Sequence, residues 1–279
     1  MKKITARRIS SAVIVLFFFL FAMIILFPFL WLVLGSFKSV RELFAVPLKF
    51  WPEQWNYGNY IEAWNNQPFG RYILNSLVVS GLSTATVVFV SCLGSYSLAR
   101  TPIHGKKLVL ILLLTVSLLP PVTLINPIYQ MFSNLRLLNT TVGLGLVLAA
   151  TELPTAIWLL TSFFQAVPFE LEESAMLDGA SVLRTFVSIV IPLVTPGMFT
   201  VCIMTFITSW NNYIFAAVLN QMPVARTVPV ALTLFETESY TPWHLISAAA
   251  VFVSLPLVLI VMIMQKRIVS GLITGGVKG

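Results

Sequence analysis

The chain has 279 residues, 58% of them hydrophobic and 10% charged, with 17 Lys and Arg against 10 Asp and Glu and a formal net charge of +7. A mean hydropathy of +0.91 lies far outside the range of a soluble globular domain and marks an integral membrane protein. Two isolated cysteines, Cys92 and Cys202, both fall in apolar runs and imply neither a disulfide framework nor a metal site.

Six apolar runs, Ser11–Leu34, Tyr72–Ala99, Leu108–Phe132, Thr141–Phe164, Leu193–Leu219 and Leu245–Met264, are each long enough to cross a bilayer as a helix. The expected fold is an all-α membrane protein with six transmembrane helices over residues 11–265, flanked by a short N-terminus (1–10) and a tail (266–279). With the N-terminus inside, Lys2, Lys3, Arg7, Arg8, Arg100, Lys106, Lys107, Arg184, Lys266, Arg267 and Lys278 are internal. Lys38, Arg41, Lys49, Arg71, Arg136 and Arg226 are then external, a split of 11 to 6 among the 17 basic residues. The positive-inside rule therefore puts both termini in the cytoplasm, and the net charge needs no nucleic-acid partner.

In chain order, KKITARR followed by an apolar run is too long, and lacks a small-residue cleavage site, to be a secretory signal; it reads as a retained first span. The following external segment holds Phe50, Trp51, Trp55, Tyr57, Tyr60 and Trp64, rings suited to the headgroup level, and NYIEAW predicts a short surface helix. Asn75, Ser76, Ser80, Ser83 and Thr84 form a small polar stripe on the second span, suited to helix packing. In the third, LLPPVTLINPIYQMF carries Pro120, Pro121 and Pro127, which must interrupt the helix where it faces protein or a cavity.

Glu152 falls near the middle of the fourth span, where a carboxylate is costly and commonly faces a bundle interior. A place on a transport pathway and a structural role beside Pro154 both fit it. Asn211 and Asn212, in SWNNYIFAAVL, suit either sugar hydroxyls or amide bonds between helices. Asn75 joins these three as a candidate pathway residue. Between the fifth and sixth spans, FETESYTPWH supplies Glu238, Tyr240 and Trp243 to a loop able to reach a partner outside.

The most unusual stretch is the internal loop 166–191. Glu170, Glu172, Glu173 and Asp178 crowd together in an otherwise apolar chain. Pro168 suits a first helical turn, acids there complement the helix dipole, and Asp178-Gly179 supplies a stop. Leu171, Ser174, Ala175 and Asp178 recur at spacings that place them on one helical face. A second amphipathic stretch runs from Ser181 until Pro192 opens the next span.

EESAMLDGASVLRTFVSIVIPLVTPG resembles the cytoplasmic EAA loop of ABC importer permeases, and the tail QKRIVSGLITGGVKG resembles that of their carbohydrate branch, typified by the maltose permease subunit with a short N-terminus. The resemblance covers nearly the whole chain and implies a type I importer permease fold in a bacterial inner membrane. It implies that Glu170, Glu172, Glu173, Ser174, Ala175, Asp178 and Gly179 form a coupling helix and its bend, docked on a cytoplasmic ATPase. Ser174 stands where the family usually has Ala. The partners implied are a second, different permease, two ATPase subunits holding ATP and Mg, an external sugar-binding protein and membrane lipid. The chain itself would be no enzyme and bind no cofactor; its tail lacks the Gly-Lys-Ser/Thr of a phosphate loop. An ion-coupled secondary transporter and a permease for a non-sugar solute are the alternatives. An intramembrane enzyme finds no catalytic constellation, since His104 and His244 both lie in expected loops.

Overall fold

The computed structural model describes residues 2–236 and 241–276, with side chains described for 13–236 and 241–263. Its helices are α1 Lys2–Ser36, α2 Val40–Leu43, α3 Gly58–Asn66, α4 Phe69–Arg100, α5 Lys106–Ser117, α6 Pro121–Asn134, α7 Thr141–Ala166, α8 Glu170–Leu177, α9 Val182–Thr185, α10 Ile191–Trp210, α11 Ile214–Leu219, α12 Val228–Thr233 and α13 Trp243–Gly276. A π turn, Phe186–Val190, joins α9 to α10, and no strand occurs among the described residues.

Among the described residues, five helices are long and apolar enough to cross a membrane: Val13–Ser36, Phe69–Arg100, Thr141–Ala166, Val182–Trp210 and Trp243–Ile263. The expected third span is not one helix. It is α5 and α6, bent by 90° at the break between them, and only if this pair counts as a single span are there six. The cause lies in Pro120-Pro121. A residue before proline is pushed out of the helical region, and Pro120 is extended at φ −60°, ψ 127°, while Pro121, which has no N–H to lose, opens α6.

The fifth span also differs from its expected limits of Leu193–Leu219. The helix runs from Val182 to Trp210, and Asn211–Tyr213 separate it from α11. Pro192 does not start it. The π turn lets the Ile191 N–H reach the Phe186 carbonyl, absorbing one extra residue just before a proline that cannot donate.

The chain folds as two units, Met1–Pro68 with Leu232–Ser254, and Phe69–Ala231 with Leu255–Gly279. In the first, Phe37 packs against Trp55, Tyr57 and Tyr60 with ring centroids 5.0–5.4 Å apart. Asn59, buried at the start of α3, donates to the carbonyls of Ser36 and Lys38 at 2.8 and 2.9 Å. The surface helix expected at NYIEAW is thus α3, tied to the end of α1. Lys38 is buried; it donates to the Lys49 carbonyl at 2.6 Å and lies 4.3 Å from the Trp31 ring. Burial lowers its pKa, with Glu42 acting in the opposite sense. Along α1, every side chain from Val13 to Leu30 is exposed, so most of that apolar surface is left uncovered by the described residues.

The second unit is built on α4, α7 and α10. Val87, Ala149, Ala156, Leu160, Phe164, Val190, Val194 and Val201 form one core cluster. Val79, Leu144, Val147, Leu148, Phe215 and Leu219 form another, with Phe132 of α6. Close approach depends on small residues: a Cβ on Gly197 would lie 2.5 Å from Cγ of Phe163. The polar stripe expected on the second span is buried here, and Ser83 meets Ser209 across α4 and α10 at 3.0 Å.

Candidate functional site

The loop after α7 begins with Val167 and Pro168, and α8 starts two residues beyond that proline, with Glu170, Glu172 and Glu173 all in its first turn. Its end is a complete Schellman motif. Ala180 N–H bonds to the Ala175 carbonyl at 2.9 Å and Gly179 N–H to that of Met176 at 3.1 Å, around Gly179 at φ +86°. That backbone conformation suits glycine, so the Asp178-Gly179 corner is fixed by the sequence.

The acids do not act alike. Glu172 is 2% exposed and turned inward, where Arg100 Nε donates to it at 2.5 Å and the Tyr96 hydroxyl at 2.8 Å. Arg100 also donates through Nη2 to the Val167 carbonyl at 2.9 Å and sits 5.7 Å from the Phe169 ring. The last turn of α4 therefore grips both ends of the segment that leads into α8. Glu170, Glu173 and Asp178 remain exposed, as do Ser174 and Gly179, whereas Ala175 is buried. Around them stand Leu177 at 88%, Leu183 at 71% and Val182 at 62% exposure. Leu171, Ser174, Ala175 and Asp178 line one concavity of about 400 Å³ with Arg184 and Ile189. Sequence reasoning missed Arg100, Tyr96 and the exposed leucines. A lone Arg ending an apolar run offered the only signal.

Farther along the same helices, α5, α6, α7, α10 and α11 line a partly open cavity of about 520 Å³. Glu152 and Asn212 both line it. Asn212 Oδ1 also accepts from the Phe215 N–H at 3.2 Å, helping to start α11. The other two pathway candidates are elsewhere. Asn211 is exposed and its amide caps α10 at the Ile207 carbonyl, 3.0 Å away. Asn75 is buried and pins the segment before α12, donating to the carbonyls of Val224 at 3.1 Å and Arg226 at 2.8 Å. Since Asn75 is near the start of α4 and Arg100 at its end, the pinned segment and α8 belong to opposite ends of one long helix. Trp243 is exposed at the start of α13, while Glu238 and Tyr240 lie outside the described residues. Among the described residues, no group of three His, Cys, Asp or Glu could hold a metal ion.

Residues 91–274, which include the loop and the cavity, match the family model of the binding-protein-dependent transport system inner membrane component. The chain belongs to this family. It is a multi-pass inner-membrane protein and the permease subunit of an ABC transporter, a non-catalytic component. Among curated family members it is 37% identical over 254 residues, 91% of this chain and 89% of the relative, to the sulfoquinovosyl glycerol transport system permease SmoH of Agrobacterium fabrum. It is 34% identical over 263 residues, 93% of this chain and 94% of the relative, to the trehalose/maltose transport system permease MalG of Thermococcus litoralis. In fold it is similar to a chain of a bacterial ABC transporter that imports the acidic polysaccharide alginate, with a TM-score of 0.78 at 20% identity over 94% of this chain and 97% of that one.

Proposed function

We propose that this permease forms half of the translocation pathway of an ATP-driven importer of mono-, di- or oligosaccharides, opposite a second, different permease. The sugar cargo is supported by relatives named for sugar transport, and the external binding protein by the family's own description. Six spans with both termini in the cytoplasm follow if α5 and α6 together make one crossing, in keeping with the excess of Lys and Arg in the segments then placed inside. The uncovered apolar length of α1 suits lipid and the second permease.

The observation that carries the reading is α8 itself. It is a short helix held from behind by a buried ion pair and offering apolar side chains within an acidic rim. Such a surface fits a cleft rimmed by Arg or Lys on a cytoplasmic ATPase, with Glu170, Glu173, Ser174, Asp178 and the Gly179 bend outermost and Glu172 and Ala175 setting the helix's pose. Closure of two ATPase subunits on ATP and Mg would draw the docked helices together and reorient the attached spans. All phosphoryl chemistry then belongs to the partner. Glu238, Tyr240 and Trp243, the last of them opening α13, are the residues that meet the binding protein.

The test is uptake into proteoliposomes holding both permeases and the ATPases, with binding protein and labelled saccharide outside and ATP within. Uptake is expected to need every component. Saccharide uptake by this chain alone, with no ATPase, contradicts the proposal and points to an ion-coupled carrier.

A further inference from the structure

Ser117, Thr151, Glu152, Thr155, Thr208 and Asn212 supply the polar side chains of the 520 Å³ cavity. Their own hydrogen bonds decide what they can offer a solute. The hydroxyls of Ser117, Thr151 and Thr208 donate to backbone carbonyls of their own helices, Leu114 at 2.7 Å, Leu148 at 2.9 Å and Met204 at 2.9 Å. A hydroxyl has one hydrogen, so each of the three presents only lone pairs to the cavity. Asn212, whose oxygen is taken by the Phe215 N–H, presents its NH₂. Glu152 has no hydrogen-bond or ion-pair partner among the described residues, and no Lys or Arg lines the cavity. The wall is thus rich in acceptors and carries one unpaired carboxyl group, with the Asn212 amide and the Thr155 hydroxyl as its donors.

We propose that this wall selects by charge and by donor count, admitting solutes rich in O–H or N–H groups and disfavouring those that bear carboxylate, sulfonate or phosphate. Neutral and amine-bearing saccharides satisfy the lone pairs of Ser117, Thr151, Thr208 and Glu152. An anionic saccharide brings further acceptors to a wall that is short of donors, and in its ionised form Glu152, with no cation beside it, repels the charge of such a solute. The inference rests on the importer reading above and narrows its cargo to saccharides without acidic groups.

The direct test reads the cavity without knowing the cargo. In the assembled transporter, with Cys92 and Cys202 replaced by Ala, a single reporter thiol is placed by Thr155→Cys and, separately, by Thr151→Cys. Its reaction rates with trimethylammonium-ethyl and sulfonatoethyl methanethiosulfonate are compared with those of a free thiol. The cation-to-anion ratio is expected to exceed that of the free thiol by about tenfold or more. It is expected to return to the free value with Glu152→Gln and to persist with Glu152→Asp. A ratio equal to the free value at both positions, or one indifferent to Glu152→Gln, overturns the proposal. Vesicles of the same preparation, supplied with the binding protein, are then offered labelled neutral, amine-bearing and uronate-bearing saccharides. Carriage of the neutral or amine-bearing members alone supports the selectivity, and carriage of a uronate at a comparable rate overturns it. If no saccharide of any kind is carried, the importer reading loses its cargo while the thiol ratio still decides the nature of the wall.

Discussion

Arg100→Ala is expected to destabilise the region around α8 by about 3–5 kcal/mol and to abolish ATP-driven uptake, because it leaves a buried carboxylate without its cation. Glu172 is 2% exposed, and Arg100 is its ion-pair partner at 2.5 Å. The same substitution removes the donor to the Val167 carbonyl, so the backbone entering α8 loses its tether as well. Removing one partner of such a pair costs more than removing both, since two apolar side chains of similar volume raise no desolvation penalty. The double variant Arg100→Met with Glu172→Met is therefore expected to recover most of the lost stability. Thermal unfolding of the purified complex, followed by tryptophan fluorescence, checks both. An Arg100→Ala protein as stable as the parent contradicts the role given to the pair.

Leu177→Lys is expected to weaken association with the ATPase by about 2 kcal/mol or more, roughly 30-fold in Kd, with membrane insertion and thermal stability unchanged. Leu177 is 88% exposed, so its side chain contributes little to the fold that contains it. A leucine so placed at the end of α8, between Glu173 and Asp178, has the chemistry of an anchor that enters a cleft. Lysine removes the anchor and sets a positive charge against the basic rim that the neighbouring acids call for. Glu173→Lys, at the edge of the same surface, is expected to cost less and to depend more on salt. Titration of detergent-solubilised permease pair with purified ATPase measures both constants. A Kd unchanged by Leu177→Lys removes α8 from the interface.

What the sequence disclosed and what it concealed divide along physical lines. Long apolar runs are local, and the second and fourth spans begin and end within three residues of their expected limits. The Asp178-Gly179 corner is local too, because a left-handed residue and its flanking hydrogen bonds are a property of the dipeptide. The shifted fifth span escaped because Pro192 reads as a helix start, and only the three-dimensional path through Phe186–Val190 shows how a helix runs on into it. Glu172 could not be told from Glu170 and Glu173 by composition; its inward turn depends on Arg100, 72 residues earlier. Asn75 and Asn212 look alike in sequence, yet one pins backbone 149 residues away and the other lines a cavity. Long-range pairing decides such roles, and spacing along the chain does not record it.

Whether this permease is driven through α8 is read out by cross-linking in native membranes. With Leu177→Cys the sole cysteine, Cys92 and Cys202 having been replaced by Ala, a short thiol-to-amine cross-linker is applied with and without ATP, and the captured protein is identified by mass spectrometry. A nucleotide-hydrolysing subunit is expected to be joined to α8 in high yield. Capture of lipid and water-exposed neighbours alone, under conditions in which the transporter takes up saccharide, contradicts it.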